Sequence, residues 1–456
     1  MNHACCSRRQ MIRSLMAGSI IMPAILNDLL ANEGGDAASL GTRAPHFPGK
    51  AKRVIFLYMT GGVSHLDTFD PKPRLIAEGG KAMSDKPGAA RLLGPGWEFK
   101  PGGKAGTPVS DLFPHLRECM DDICLIKSMR GDHNDHFQAT LGMHTGSVSF
   151  ARPSIGSWVS YGLGTENRNL PSFVVLAPEL PYAGTQVYSS DFLPGVNAGT
   201  RVMAGAEPIP NLNRRAPSQQ VQNLELNLLE RFNRKHQQQH PADPALVARL
   251  KSFETAAGMQ MSMPDVLDLS KETDATLGLY GLERGSTKGF AWQCLVARRL
   301  VERGVRFVEL IDVGSHDNWD AHGDMATHEP LAKNVDQAIA GLLKDLKSRG
   351  MLEDTLVVWT TEFGRTPTTD GPKGRSHHSS AFSSWLAGAG VKPGMSYGET
   401  DDYGRTVTQD PVHVHDFHAT ILHLLGFDHE KLTFRHAGRD FRLTDVSGEV
   451  VKAILA

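Results

Sequence analysis

Four short clusters of imidazole and carboxylate stand out in a chain of 456 residues that holds 20 histidines. His65 and Asp67 follow Thr60-Gly61-Gly62, and His133 and His136 lie in Asp132-His133-Asn134-Asp135-His136. Asp320 and His322 close the stretch His316-Asp317-Asn318-Trp319-Asp320-Ala321-His322, and Glu362 and Arg365 precede Arg375-Ser376-His377-His378. Imidazole nitrogens and carboxylate oxygens are the ligands that suit zinc, manganese and related divalent ions, with calcium a further candidate on the carboxylate side. The same groups serve as nucleophiles or general bases. Each cluster also has a plainer use. His65 and Asp67 can bond the backbone of a turn, Asp132 or Asp135 can cap a helix, Glu362 can pair with Arg365, and His377-His378 can sit in a solvated loop. Asp320 and His322 have no obvious structural task.

The elements that must position these groups are legible as strands, each ending just before a cluster. Arg53–Thr60 is an apolar run of strand length that stops at two glycines, which allow a sharp turn or close approach. Further strands are expected near Ile123–Lys127, Ser172–Leu176, Val305–Leu310, Thr355–Thr361 and Phe382–Leu386. Their continuous rather than alternating apolarity indicates strands covered on both faces. Helical patterns start at Ser110 (through Cys119), Asp135 and Ser154, and fill residues 214–262. They recur over Gly289–Arg303, Asp324–Arg349 and Val414–Leu425. In the 324–349 segment Leu331, Val335, Ile339, Leu342 and Leu346 mark one buried face, with Gly350 as the C-terminal stop. Strands alternating with helices predict an α/β fold with a mainly parallel central sheet flanked by helices. Open sheets of this kind bind ligands at the carboxyl ends of their strands, where all four clusters fall. The Gly/Pro/Lys-rich stretch 78–108 reads as a surface excursion, and no internal repeat is found.

Ser7-Arg8-Arg9-Gln10 precedes an apolar stretch from about Leu15 to Leu30, the layout of a twin-arginine export signal. At roughly 16 residues the stretch is shorter than the about 20 a membrane span needs. Cleavage is expected at Ala31 or within Asp36-Ala37-Ala38. Residues 1–38 are therefore assigned to signal and spacer, and 45–456 to a single α/β domain with a helical insertion at about 178–285. The destination is periplasmic or extracellular. Hydrophobic residues make up 40%, charged residues 21%, and the formal net charge is -2. No basic excess invites nucleic acid or an anionic membrane surface. No other segment approaches a membrane span. Of 5 cysteines, Cys5 and Cys6 lie in the leader. Cys119, Cys124 and Cys294 are too few for a disulfide framework, though one bridge is possible in an oxidising compartment.

The stretches Leu57–Lys72, Gly131–Phe137, Asn318–His322 and Val357–Pro367 resemble the domain-of-unknown-function 1501 family, from the leader to Gly438-Arg439. That family looks like a distant branch of the alkaline phosphatase and sulfatase superfamily. The resemblance implies a metal site at the strand ends and hydrolysis of phosphate or sulfate esters. Departures are specific. Met59-Thr60 stands where the superfamily's first strand delivers an aspartate ligand, and Glu362-Phe363 stands where it has an Asp-His pair. The sulfatase pentapeptide Cys/Ser-x-Pro-x-Arg occurs nowhere. Aligned on Thr145-Gly146, its nucleophile position falls on or near His136.

Two expectations follow. The first is an exported, metal-dependent hydrolase of a small-molecule or polysaccharide ester. His65, Asp67, Asp320, His322, Glu362, His377 and His378 are its candidate ligands. His136 or His133 would be nucleophile or base, and Arg365 or Lys127 would balance charge. The second is a non-catalytic exported binding protein that keeps the fold. Convergence of all four clusters within metal-ligand reach favours the first, and scattered clusters, or ones pinned by internal ion pairs, favour the second.

Overall fold

The structure is a computed structural model and describes residues 42–83, 89–205, 207–210, 212, 216–240 and 244–456. The leader and both cleavage positions expected for it lie outside the described residues.

Among the described residues, nine strands form the central sheet: β1 (Arg53–Tyr58), β2 (Ile123–Arg130), β3 (Phe173–Leu176), β4 (Thr200–Val202), β5 (Phe307–Ile311), β6 (Thr355–Thr360), β9 (Phe382–Ala387), β10 (Met395–Tyr397) and β11 (Val412–His413). Between β6 and β9 the chain makes an antiparallel hairpin of β7 (Gly364–Asp370) and β8 (Gly374–His378). The sheet order is β10-β2-β9-β6-β1-β5-β3-β4, with β11 paired to the end of β2. All pairings are parallel except those of β9, which runs antiparallel to β2 and β6. The expected mainly parallel α/β sheet is therefore what the chain forms.

Its helices are α1 (His136–Thr145), α2 (Ile155–Leu163), α3 (Gln219–Gln239), α4 (Pro244–Leu267), α5 (Phe290–Glu302), α6 (His328–Ser348) and α7 (Val414–Leu424), besides shorter turns. The alternation of strand side chains sorts the core into two layers. Ile55 and Leu57 of β1 join Leu300 of α5 and Ile339 and Leu342 of α6 on one face. Val54, Phe56 and Tyr58 join Leu141 of α1, Trp158 of α2 and Phe417 and Ile421 of α7 on the other. Helices on both faces explain the unbroken apolar runs in β1 and β6.

Several expectations need correction. The helix expected from Ser110 is a strand, Thr107–Ser110, paired with Phe99–Gly102; only Pro114–Arg117 is helical. Pro114 pre-sets φ for the start of that short helix. The 78–108 stretch thus holds one strand of this hairpin and the first half of the other, with Gly102 and Thr107 buried. The helix expected from Asp324 begins at His328, because Asp324 instead caps a 3-10 turn over Met325–Thr327. Arg375–His378, read as loop, is β8. The 178–285 segment holds two long helices but also supplies β4 to the sheet edge. Gly350 follows α6 with φ 68°, the left-handed conformation that suits glycine at a helix end. Cys119, Cys124 and Cys294 are free and buried. Among the described residues no helix is long and apolar enough to cross a membrane.

Candidate metal centre

Three strand ends meet where the clusters were expected. The turn after β1 carries Gly61, the segment after β5 carries Asp320, and Glu362 follows β6. The 318–320 loop lies directly on the turn: Trp319 N–H donates to the Thr60 carbonyl at 3.0 Å. Gly61 has φ 113°, and a Cβ there would stand 2.6 Å from Asn318 Oδ1 and Trp319 N and 2.7 Å from Asp320 N. Only glycine permits that approach. Trp319 is fixed from behind, since its Nε1–H donates to Asp312 Oδ2 at 2.6 Å. Asp312 also accepts from Thr60 N and Val313 N, and burial pushes its carboxyl up to about 7.

His136 opens α1, whose N-cap is Asp135, accepting from Phe137 N at 3.0 Å. Its Nδ1 meets Glu362 Oε1 at 2.7 Å. Glu362 is wholly buried and also accepts from Gly61 N, Tyr58 Oη and Thr361 Oγ1. Burial alone raises a carboxyl, but these donors and His136 hold Glu362 below its ordinary value. A carboxylate with that many donors is an acceptor, so His136 Nδ1 carries the proton and Nε2 faces outward, 3.3 Å from Asp320 Oδ2. Burial works against charge on this imidazole, yet Asp320 and Glu362 outweigh it and raise His136 to about 9.

The β7–β8 hairpin brings His377 to the same place. Arg375 N–H donates to the Ala321 carbonyl at 2.9 Å, and a Cβ on Gly374 would collide with the His322 carbonyl. His377 Nδ1 donates to the Asn134 carbonyl at 2.6 Å, and His322 Nδ1 meets Asp370 Oδ2 at 2.7 Å. Their Nε2 atoms lie 2.8 Å apart, with Asp320 Oδ1 3.0 Å from His322 and 3.2 Å from His377. One ligand atom each from His136, Asp320 and His377 fall within 4.8 Å of one another. Tyr182 roofs the cluster: its ring stacks on His136 at 4.1 Å between centroids, and its hydroxyl accepts from Asn318 Nδ2 at 3.0 Å.

The fit to a divalent ion rests on where the imidazole Nε2 atoms point. Three imidazoles each commit Nδ1–H to an acceptor, which turns their three Nε2 atoms toward Asp320, where a divalent ion would take the place of the Nε2 protons. A ligand histidine whose other nitrogen is held by a carboxylate or carbonyl is the usual support of a metal site. Imidazole nitrogens with a carboxylate are a donor set that suits zinc and related divalent ions.

The other candidates lie elsewhere or are already engaged. Glu362 stands behind His136. Asp67 is buried against Arg375 at 2.7 Å and accepts from Ser64 Oγ; against its burial, Arg375 holds its carboxyl low. His65 Nε2–H donates to the Gly404 carbonyl at 2.9 Å, and burial lowers its pKa to about 4. His378 Nε2 bonds the Arg405 carbonyl at 2.5 Å. His133 Nδ1 accepts from Asp135 N, inside its own turn. Arg365 is fully buried, donating to the Gly61, Gly62, Trp319 and Arg375 carbonyls and to Asp320 Oδ1 at 2.7 Å. It holds Asp320 in place. Burial acts to raise the Asp320 carboxyl, but the surrounding cations and imidazoles keep it far below the usual carboxylate range. Lys127 lies inside β2, short of its end. Tyr58, Asn134, Tyr182, Asp312 and Asp370 belong to the site and carry no sequence signal, except that Asn134 sits within a His/Asp cluster.

None of the curated proteins matches the chain in sequence. Among solved structures it is similar to Ps i-CgsB, crystallised with k-i-k-neocarrahexaose, at 12% identity and TM-score 0.38, covering 82% of this chain and 72% of that one. It is also similar to alkaline phosphatase from the Antarctic bacterium TAB5, at 11% identity and TM-score 0.35, covering 84% and 100%. A third is the phosphonate monoester hydrolase SpPMH from Silicibacter pomeroyi, at 13% identity and TM-score 0.34, covering 75% and 71%. These likenesses are distant and by themselves say nothing of this chain's chemistry. In sequence the profile described as Protein of unknown function (DUF1501) matches residues 51–455, so the chain belongs to that family.

Proposed function

We propose that the chain is a metal-dependent hydrolase of phosphate or sulfate esters, with His136, His377 and Asp320 holding one divalent ion and His322 beside them. The observation that carries this reading is the convergence of His136, Asp320 and His377 ligand atoms within 4.8 Å of one another, with both imidazoles oriented by an acceptor at Nδ1 and His322 Nε2 3.0 Å from Asp320 beside them. Bound there, a divalent ion supplies Lewis-acid polarisation of an ester oxygen and a nucleophile at neutral pH. The protein's own part is positional. Glu362 keeps the proton on His136 Nδ1, Arg365 fixes Asp320, and Tyr182 covers one face of the site and limits water there. In this reading His136 is a ligand rather than a free nucleophile. Export by the twin-arginine route belongs to the same proposal, because that route carries chains already folded, often with a metal or cofactor loaded.

The test is hydrolysis of nitrophenyl phosphate and nitrophenyl sulfate by the protein loaded with zinc, manganese or calcium in turn. Turnover that a chelator abolishes and Asp320→Ala removes is the expected result. A metal-loaded protein inert toward every ester tried contradicts it.

A second reading, a metal-holding protein without hydrolytic activity, has its own support. The two buried guanidiniums nearest the site, Arg365 and Arg375, are engaged by Asp320, Asp67 and backbone carbonyls. Every guanidinium nitrogen of both already donates within the chain.

A further inference from the structure

Strand β5 contains a wholly buried glutamate, Glu309, in the middle of a parallel sheet, hydrogen-bonded in register between Phe56 of β1 and Val175 of β3. Its Oε1 lies 2.8 Å from His144 Nε2, and both side chains are fully buried. Its Oε2 has no hydrogen-bond partner. Burying such a pair is costly, and apolar residues of similar volume are often neutral or better for stability. The pair therefore asks for a reason other than stability.

The reason lies in α1. His136, Thr140 and His144 are spaced by four residues, one turn each, so they stack along one face of the helix. Each meets a different strand or strand end. His136 meets Glu362 after β6, Thr140 Oγ1 meets Tyr58 Oη of β1 at 2.9 Å, and His144 meets Glu309 of β5. His144 Nδ1 donates to the Thr140 carbonyl at 2.7 Å, which locks the imidazole to its own helix. Tyr58 packs edge-on against the same ring at 4.5 Å. The contact with Glu309 thus fixes how far α1 slides and rolls along the sheet, two turns below the nitrogen that faces Asp320.

The opposite ligand is tied to the same strand. Asp312, just past β5, holds Trp319 on the other face of the sheet, next to Asp320. We infer that β5 is a gauge for the metal centre, with Glu309 a positioning residue that sets His136 through His144 and Asp312 its counterpart for Asp320 through Trp319. The inference rests on the metal-centre reading above.

The test is zinc affinity of the full chain by competition with a chromophoric chelator, together with the visible spectrum of the cobalt(II)-loaded protein. Glu309→Met and the double variant His144→Leu with Glu309→Met remove the tie; the double variant leaves no buried polar orphan and keeps the core filled. Glu309→Gln retains a group that can bond His144 Nε2. The expected result is about 10–100-fold weaker zinc binding and an altered cobalt spectrum in both disruptive variants, the range seen when outer supports of ligands are lost. Glu309→Gln should rescue both readouts, and thermal stability should not track the loss. Disruptive variants that fold and bind zinc as the parent does, with an unchanged cobalt spectrum, overturn the gauge while leaving the metal centre standing. A parent protein that binds no metal overturns the metal centre itself, and the gauge with it.

Discussion

His322 and His377 face each other through their Nε2 atoms at 2.8 Å, while Asp370 and the Asn134 carbonyl hold the opposite nitrogens. At that distance one Nε2–H donates to the other nitrogen, a proton that a bound cation would displace. Replacing His377 by alanine should weaken zinc binding at least about tenfold, as loss of a ligand does more than loss of its support. His322→Ala should have the same sign. Competition titration reads both, and parent-like affinity in both variants contradicts the assigned ligand set.

Asp320 has a second role, as the counter-charge of buried Arg365. Asp320→Ala strands that guanidinium and should lower stability by about 3 kcal/mol even with metal removed, in the range for breaking a buried pair. Urea unfolding in chelator measures it. A stability change under about 0.5 kcal/mol, ordinary for a surface substitution, contradicts the structural role.

Glu362 orients His136 and helps hold its pKa at about 9. In chelated Glu362→Gln protein the His136 imidazole should titrate about 1–2 units lower, since a carboxylate at hydrogen-bond distance is lost. NMR of the imidazole resonances follows this. An unshifted titration shows that Asp320 alone sustains the raised value.

Gly61 sits between the turn after β1 and the Asp320 loop, in a conformation that disfavours side chains. Gly61→Ala should both destabilise the fold, by at least about 1–3 kcal/mol for the strained backbone, and weaken zinc binding by moving Asp320. Measured together, stability and affinity should fall in step. Loss of neither means that the loop yields at no cost.

How much of this was legible in the sequence depended on distance along the chain. β1, β2, β3, β5, β6 and β9 each appear as an apolar run bounded by turn residues, and so does the α6 stripe. The short edge strands β4, β10 and β11 have two or three residues each, too few for a pattern. The clusters at the strand ends were visible because metal-ligating side chains recur within a few residues. Which of them converge was not, since partners arrive from far away. Asp67 is taken by Arg375, 308 residues on, and Glu362 turns out to support His136, 226 residues back. Tyr182 and Asp312 stand alone in sequence and acquire meaning only through what lies against them.

Buried histidines away from the metal centre set the acid response. Burial lowers His65 to about 4 and His328 and His418 to about 3. All three are neutral in the folded chain and take up protons when unfolded below about pH 6.5. The unfolded state then binds more protons, so stability falls as pH drops from about 6.5 to about 4, by up to about 1.4 kcal/mol per pH unit for each group. Urea midpoints in chelator across this window test the slope. A flat profile means that these imidazoles are already protonated when folded.

The most direct test of the metal centre is elemental mass spectrometry of the purified, folded protein beside its Asp320→Ala and His136→Ala variants. The account predicts close to one divalent ion per parent chain and its loss in both variants. A parent that is metal-free and takes up neither zinc, manganese nor calcium, with no gain in stability on adding them, contradicts it.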